Sequence, residues 1–195
     1  ALARPALDVT DEESRGAVIV AVDNSNSMLK DDLAPDRLTA AFDAARVLVD
    51  TAPDELSIGL VTFADRAVVR VNPTVDRDAM ISALAEVGET REGTSMAAAV
   101  NASLSALRGA GVIGLPAEVE ADPDSAPPAR IIIITDGADS IRPCPEVAAA
   151  TARAARVPVY TVLLGDDPGH PRCGDPEENL RSEERRVGKE CRSRW

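Results

Sequence analysis

Asp23, Ser25 and Ser27 form an Asp-x-Ser-x-Ser string directly behind the apolar run Ala17-Val-Ile-Val-Ala-Val22. A second carboxylate, Asp136 of Thr135-Asp136-Gly137, follows the run Ile131-Ile-Ile-Ile134. Between them in the chain, Gly93-Thr94-Ser95 opens an alanine-rich segment with Thr94 or Ser95 as a natural helix cap. Two carboxylates delivered to one place repel each other unless a proton or a cation lies between them. Carboxylate and hydroxyl oxygens are hard donors, and that set suits Mg²⁺ rather than a soft metal. Ser and Asp after a strand also serve as turn and capping residues, so the string alone leaves both readings open.

The elements that must position these residues alternate in type. The run at 17–22 is continuously apolar, the pattern of a strand covered on both faces. Leu38, Ala41, Phe42, Ala45, Leu48 and Val49 recur at helical spacing. Strands are predicted at 56–63 and 67–71. Their three-residue connection suits an antiparallel hairpin, and Asn72-Pro73-Thr74 is read as its stop. Helices follow at 76–87 and 96–107, then a Gly/Pro/acidic connection over 109–129. A strand at 130–135, a helix at 145–156 and a strand at 157–164 complete the pattern. Such alternation predicts an α/β fold: a doubly wound, mostly parallel sheet with one antiparallel edge strand and helices on both faces. In such sheets ligands bind beyond the carboxyl ends of the strands, where Asp23 and Asp136 fall.

Composition narrows the function classes. The chain has 195 residues, 45% of them apolar and only 2% aromatic, so its core is built from Val, Ile, Leu and Ala. The net charge of −12 argues against nucleic acid, which needs a basic footprint. No apolar run is long enough for a membrane helix. A Gly-x-Gly-x-x-Gly after the first strand and a phosphate-binding Gly-x-x-x-x-Gly-Lys-Ser/Thr loop are both missing. The single histidine, His170, stands in a late polar stretch and gives no triad. An Asp-dependent phosphotransferase remains as an alternative. Ser25 supplies it no general acid, however, and no lysine lies close to Asp136 in sequence. The reading is therefore of a non-enzyme.

Asp23-x-Ser25-x-Ser27, Thr94 and Asp136 resemble the metal-ion-dependent adhesion site of the von Willebrand factor type A domain, and the order of elements over about residues 16–180 matches. The resemblance implies that Asp23, Ser25, Ser27, Thr94 and Asp136 hold Mg²⁺ (or Mn²⁺) directly or through water. It also implies that an acidic side chain of a protein partner completes the coordination. Ala1-Leu-Ala-Arg-Pro5, Asp32-x-x-Pro35-x-Arg37 and Pro73-Thr74-x-x-Arg77 are similar to bacterial membrane-anchored members, the aerotolerance-operon and chloride-channel-like group. In that group Ala-Arg-Pro follows a membrane helix. Residues 1–15 are thus expected to follow an anchor outside this chain, with the domain extracytoplasmic on a bacterial cell membrane. The other relatives to consider work in cytosolic ATPase-assisted metal-insertion complexes. A final helix and strand of the family pattern have only Asp175-Pro-Glu-Glu-Asn-Leu180 to represent them, so the domain is expected to be C-terminally truncated. Cys144 and Cys173 fall in loops after neighbouring strands, where a disulfide can form; two free thiols are the alternative.

Residues 181–195 differ from everything before them and resemble the conceptual translation of a short-read sequencing adapter. Removing their six basic and three acidic residues from the 21 and 33 leaves 15 against 30, a net of −15. They are left out of the fold reading.

Overall fold

The computed structural model describes residues 16–86, 89–114, 127–137, 139–141, 143 and 145–165. Residues 1–15 and 166–195 lie outside that set, as do Cys144 and Cys173.

The apolar run becomes β1 (Ala17–Asp23), whose seven residues are all buried. It is the centre of the sheet. Strand β2 (Ser57–Phe63) lies parallel on one side and β4 (Ala129–Thr135) parallel on the other. Outside them, β3 (Ala67–Thr74) pairs antiparallel with β2 and β5 (Val159–Leu163) pairs parallel with β4, giving the order β3-β2-β1-β4-β5. The expected fold class is therefore found. The chain builds outward from β1 through β2 to β3, then crosses to β4 on the other side. The switch point lies between the C-terminal ends of β1 and β4, where an α/β sheet opens a crevice for ligands.

Because side chains alternate along a strand, β1 feeds two cores. Ala17, Ile19 and Ala21 pack with α3 (Met96–Gly109) and α4 (Pro145–Ala154). Val18, Val20 and Val22 pack with α1 (Arg37–Thr51) and α2 (Arg77–Ala85) on the other face. Ala97, Ala99 and Ala106 of α3 are buried, and their small side chains let the helix approach closely a sheet that has few aromatics to fill space. Burying each Val or Ile contributes roughly 1.5–3 kcal/mol relative to exposure.

Helix starts follow the sequence logic with small shifts. Asp36 caps α1 by accepting from Thr39 N at 2.7 Å, and Pro35, which sequence preference would put in a helix first turn, stands just before the cap. Asp76 caps α2 through Ala79 N at 3.0 Å. The third strand runs past its predicted stop, through Asn72 and Pro73 to Thr74. Pro73 is tolerated because β3 is an edge strand and its register with β2 is irregular between Ile58 and Leu60. On the opposite edge, Tyr160, Val162 and Leu163 of β5 are exposed.

Candidate metal centre

β1 ends on Asp23, which is fully buried. The chain then turns, and Ser25 N donates back to Asp23 Oδ1 at 2.9 Å. A short 3₁₀ turn, Asn26–Leu29, carries Ser27 up beside Ser25, with the two hydroxyl oxygens 3.0 Å apart. Met28 points the other way into the core and anchors that turn. The spacing of the string is thus a direct product of one tight turn: alternate residues face the site and the next buried residue holds the loop down.

β4 delivers the second carboxylate. The register aligns Val22 with Ile134, so Thr135 ends β4 beside Asp23 and Asp136 follows it. Thr135 Oγ1 donates to Asp23 Oδ2 at 2.6 Å and accepts from Gly137 N at 3.1 Å. Thr135 therefore ties the two carboxylate loops together. Its part was not readable from the motif, although it is the residue immediately before Asp136. Asp136 is itself buried, with Arg37 Nη1 donating to its Oδ2 at 3.0 Å.

Thr94 arrives from a third loop, which is clasped from both sides. Ser95, not Thr94, caps α3 by accepting from Ala98 N at 3.2 Å, and this leaves the Thr94 side chain outside the capping role. Thr94 N donates to Ser140 Oγ at 2.9 Å, and Thr94 O accepts from Ser140 N and Ile141 N at 3.0 and 3.1 Å. Asp139, also buried, accepts from Met96 N at 3.2 Å. Gly93 has a φ of +86°, and a Cβ there would meet Ile141 Cδ1 at 2.6 Å. The loop after Asp136 therefore holds Thr94 in place by main-chain bonds and by the Ser140 and Asp139 side chains, which no motif spells out. On the other flank, Asn26 N donates to Arg91 O and Arg91 N to Asn24 O, at 2.9 and 3.2 Å.

The electrostatics fit a hard cation. Burial pushes the Asp23 carboxyl up to about 6, although hydrogen bonds from Thr135 and Ser25 act against that rise and the nearby Asp136 adds to it. Desolvation therefore outweighs two good hydrogen bonds, and the charged form of Asp23 lacks a compensating cation of its own. Among the described residues no group of three or more His, Cys, Asp and Glu is placed to hold a metal. A centre here must combine the two carboxylates with hydroxyls, and Ser25, Ser27 and Thr94 are the hydroxyls at hand. Such a set of neutral and anionic oxygens suits Mg²⁺ or Mn²⁺.

Comparison with known proteins identifies the family of the fold. Residues 18–138 match the von Willebrand factor type A domain model. A UPF0353 protein of Mycolicibacterium vanbaalenii is 33% identical over 189 residues, covering 91% of this chain and 53% of that protein. The chain thus spans about half the length of that relative. An aerotolerance-related membrane protein from Bacteroides fragilis superposes with a TM-score of 0.64 at 25% identity, over 83% of this chain and 74% of the other. Proximal thread matrix protein 1 of the mussel byssus, solved with zinc in its adhesion-site motif, shares the fold with a TM-score of 0.56 at 20% identity, over 79% of this chain and 37% of the other. The chain belongs to the von Willebrand factor type A domain family, and its relatives include UPF0353 and aerotolerance-related membrane proteins.

Proposed function

We propose that this domain is a divalent-cation-dependent protein-binding module of a bacterial cell-envelope protein. Asp23, Ser25, Ser27, Thr94 and Asp136 hold Mg²⁺, with Mn²⁺ as the close substitute. The bound ion supplies an open coordination position that an acidic side chain of a protein partner fills. The observation that carries this reading is the pair of buried carboxylates, Asp23 and Asp136, at the switch point of the sheet with the Ser25 and Ser27 hydroxyls beside them. Burying two carboxylates together is costly without a cation. Support also comes from the zinc-bound mussel protein, whose fold is the same. A membrane relative at 25% identity supports membrane association, and we place the domain on the extracytoplasmic side as part of the same proposal. The module carries out no reaction of its own.

Calorimetric titration with Mg²⁺ of the native domain and of Asp23→Ala tests the centre. The native domain binds and the variant does not; equal heats from both reject the site.

A further inference from the structure

Arg37 is the largest charged side chain that the described fold buries, with 1% of its surface exposed. It occupies the first position of α1, where the helix N–H groups already carry positive partial charge. The Asp36 cap stands just before it, and the first turn itself holds no acidic residue. A cation out of water at the wrong end of a helix is a local conflict, and such conflicts concentrate at sites that do something other than fold.

Its partners are two carboxylates from different loops. Arg37 Nε donates to Asp32 Oδ1 at 2.7 Å and Nη2 donates to Asp32 Oδ2, while Nη1 donates to Asp136 Oδ2 at 3.0 Å. The planar fork thus grips Asp32 with two nitrogens and reaches the candidate metal ligand with the third, a geometry an ammonium cannot reproduce. The exit of β5 is shaped around it. Gly165 has a φ of +90°, and a Cβ at that position would fall on the Arg37 guanidinium. Arg37 thus pairs with the buried Asp136 and the part-exposed Asp32, while Asp23 lies beside Asp136 rather than against the guanidinium.

We propose that Arg37 is the resident counter-cation of the metal centre: it holds Asp136 in the metal-free fold and shares that carboxylate with the divalent ion. The sharing rests on the reading of Asp136 as a metal ligand. Arg37 is a positioning residue in this arrangement, and Asp32 sets its strength. Asp32 neutralises the guanidinium and draws it to one side, which leaves Asp136 available to the ion. The metal-free domain then keeps an ion pair on the buried Asp136 carboxylate.

The test compares the native domain with Arg37→Met, Asp32→Asn and Asp31→Asn, an exposed position in the same loop. Thermal unfolding is followed in chelator and in saturating Mg²⁺, and Mg²⁺ affinity is measured by calorimetry. Arg37→Met melts lower in chelator and gains more from Mg²⁺ than the native domain does, because the ion replaces the missing cation. Asp32→Asn binds Mg²⁺ several-fold more weakly, since the uncompensated guanidinium swings wholly onto Asp136, whereas Asp31→Asn binds like the native domain. An Mg²⁺ gain in Arg37→Met no larger than the native gain overturns the proposal, as does equal binding by the two aspartate variants. If Arg37→Met does not fold, the aspartate pair decides. A native domain indifferent to Mg²⁺ rejects the metal centre and the sharing with it. The pairing is then judged in chelator, where Asp136→Asn must remove much of the cost of Arg37→Met; strictly additive losses overturn it.

Discussion

Replacing Asp23 by Asn should make the metal-free domain more stable while abolishing its response to Mg²⁺. Asp23 is fully buried and its carboxyl is pushed from the ordinary 3.8 up to about 6, first by desolvation. A carboxyl whose folded pKa is raised stabilises the fold only while protonated. Its contribution is intact below the unfolded value and is lost as pH rises through the folded one. At about pH 7.5 the rise from 3.8 to about 6 amounts to a penalty of about 3 kcal/mol, and at about pH 4.5 to about 1 kcal/mol. Asparagine removes the charge but keeps one acceptor oxygen for either Ser25 N or Thr135 Oγ1, so about 1 kcal/mol is lost with the other hydrogen bond. The net expectation in chelator is a gain of about 2 kcal/mol near pH 7.5 that fades to about zero near pH 4.5. Urea unfolding followed by far-ultraviolet circular dichroism measures both. Adding Mg²⁺ at neutral pH should raise the native midpoint and leave that of Asp23→Asn unchanged. If Asp23→Asn is less stable than the native domain in chelator at neutral pH, the two hydrogen bonds outweigh desolvation, and the electrostatic case for a cation at this position fails.

Ser140→Ala removes the acceptor for Thr94 N; it should cost about 1–2 kcal/mol and weaken Mg²⁺ binding, read by unfolding and calorimetry on the same sample. Gly59→Ala tests the packing of the sheet away from the site. Its Cβ would meet Ile19 Cδ1 at 2.6 Å and the main chain of β3 at Val71 O and Pro73 N, 3.1 and 3.2 Å away. A loss of about 1–3 kcal/mol with unchanged Mg²⁺ affinity is expected, and a neutral outcome would mean that β3 yields at its irregular register.

The central frame was legible because its signals are local and mutually consistent. A continuous apolar run could only be a strand covered on both faces, and β1 is that strand, buried along its whole length. The hairpin followed from a three-residue connection, and the start of α3 from the Thr94-Ser95 cap signal, whereas Asp36 and Asp76 emerge as caps only in the structure. The nearness of Ser25 and Ser27 was readable because the Asp-x-Ser-x-Ser spacing is also local, set by one turn. Thr135, Arg37 and Ser140 were not readable, since what they do depends on which strand ends become neighbours. Arg37 left one faint trace, a cation at the first position of a helix. Pro73 misled because its usual force as a strand stop lapses on an edge strand.

The core of small aliphatic residues has a practical consequence for spectroscopy. The chain has one tyrosine and one tryptophan. Tyr160 lies on β5 with 54% of its surface exposed, at the sheet edge and away from the β1–β4 crevice, and Trp195 is the last residue of the tail. Ultraviolet emission from Tyr160 therefore senses the outer strand rather than the centre. A tryptophan introduced at Leu29, which is exposed at the end of the turn carrying Ser27, would put a reporter where the ion is proposed to bind.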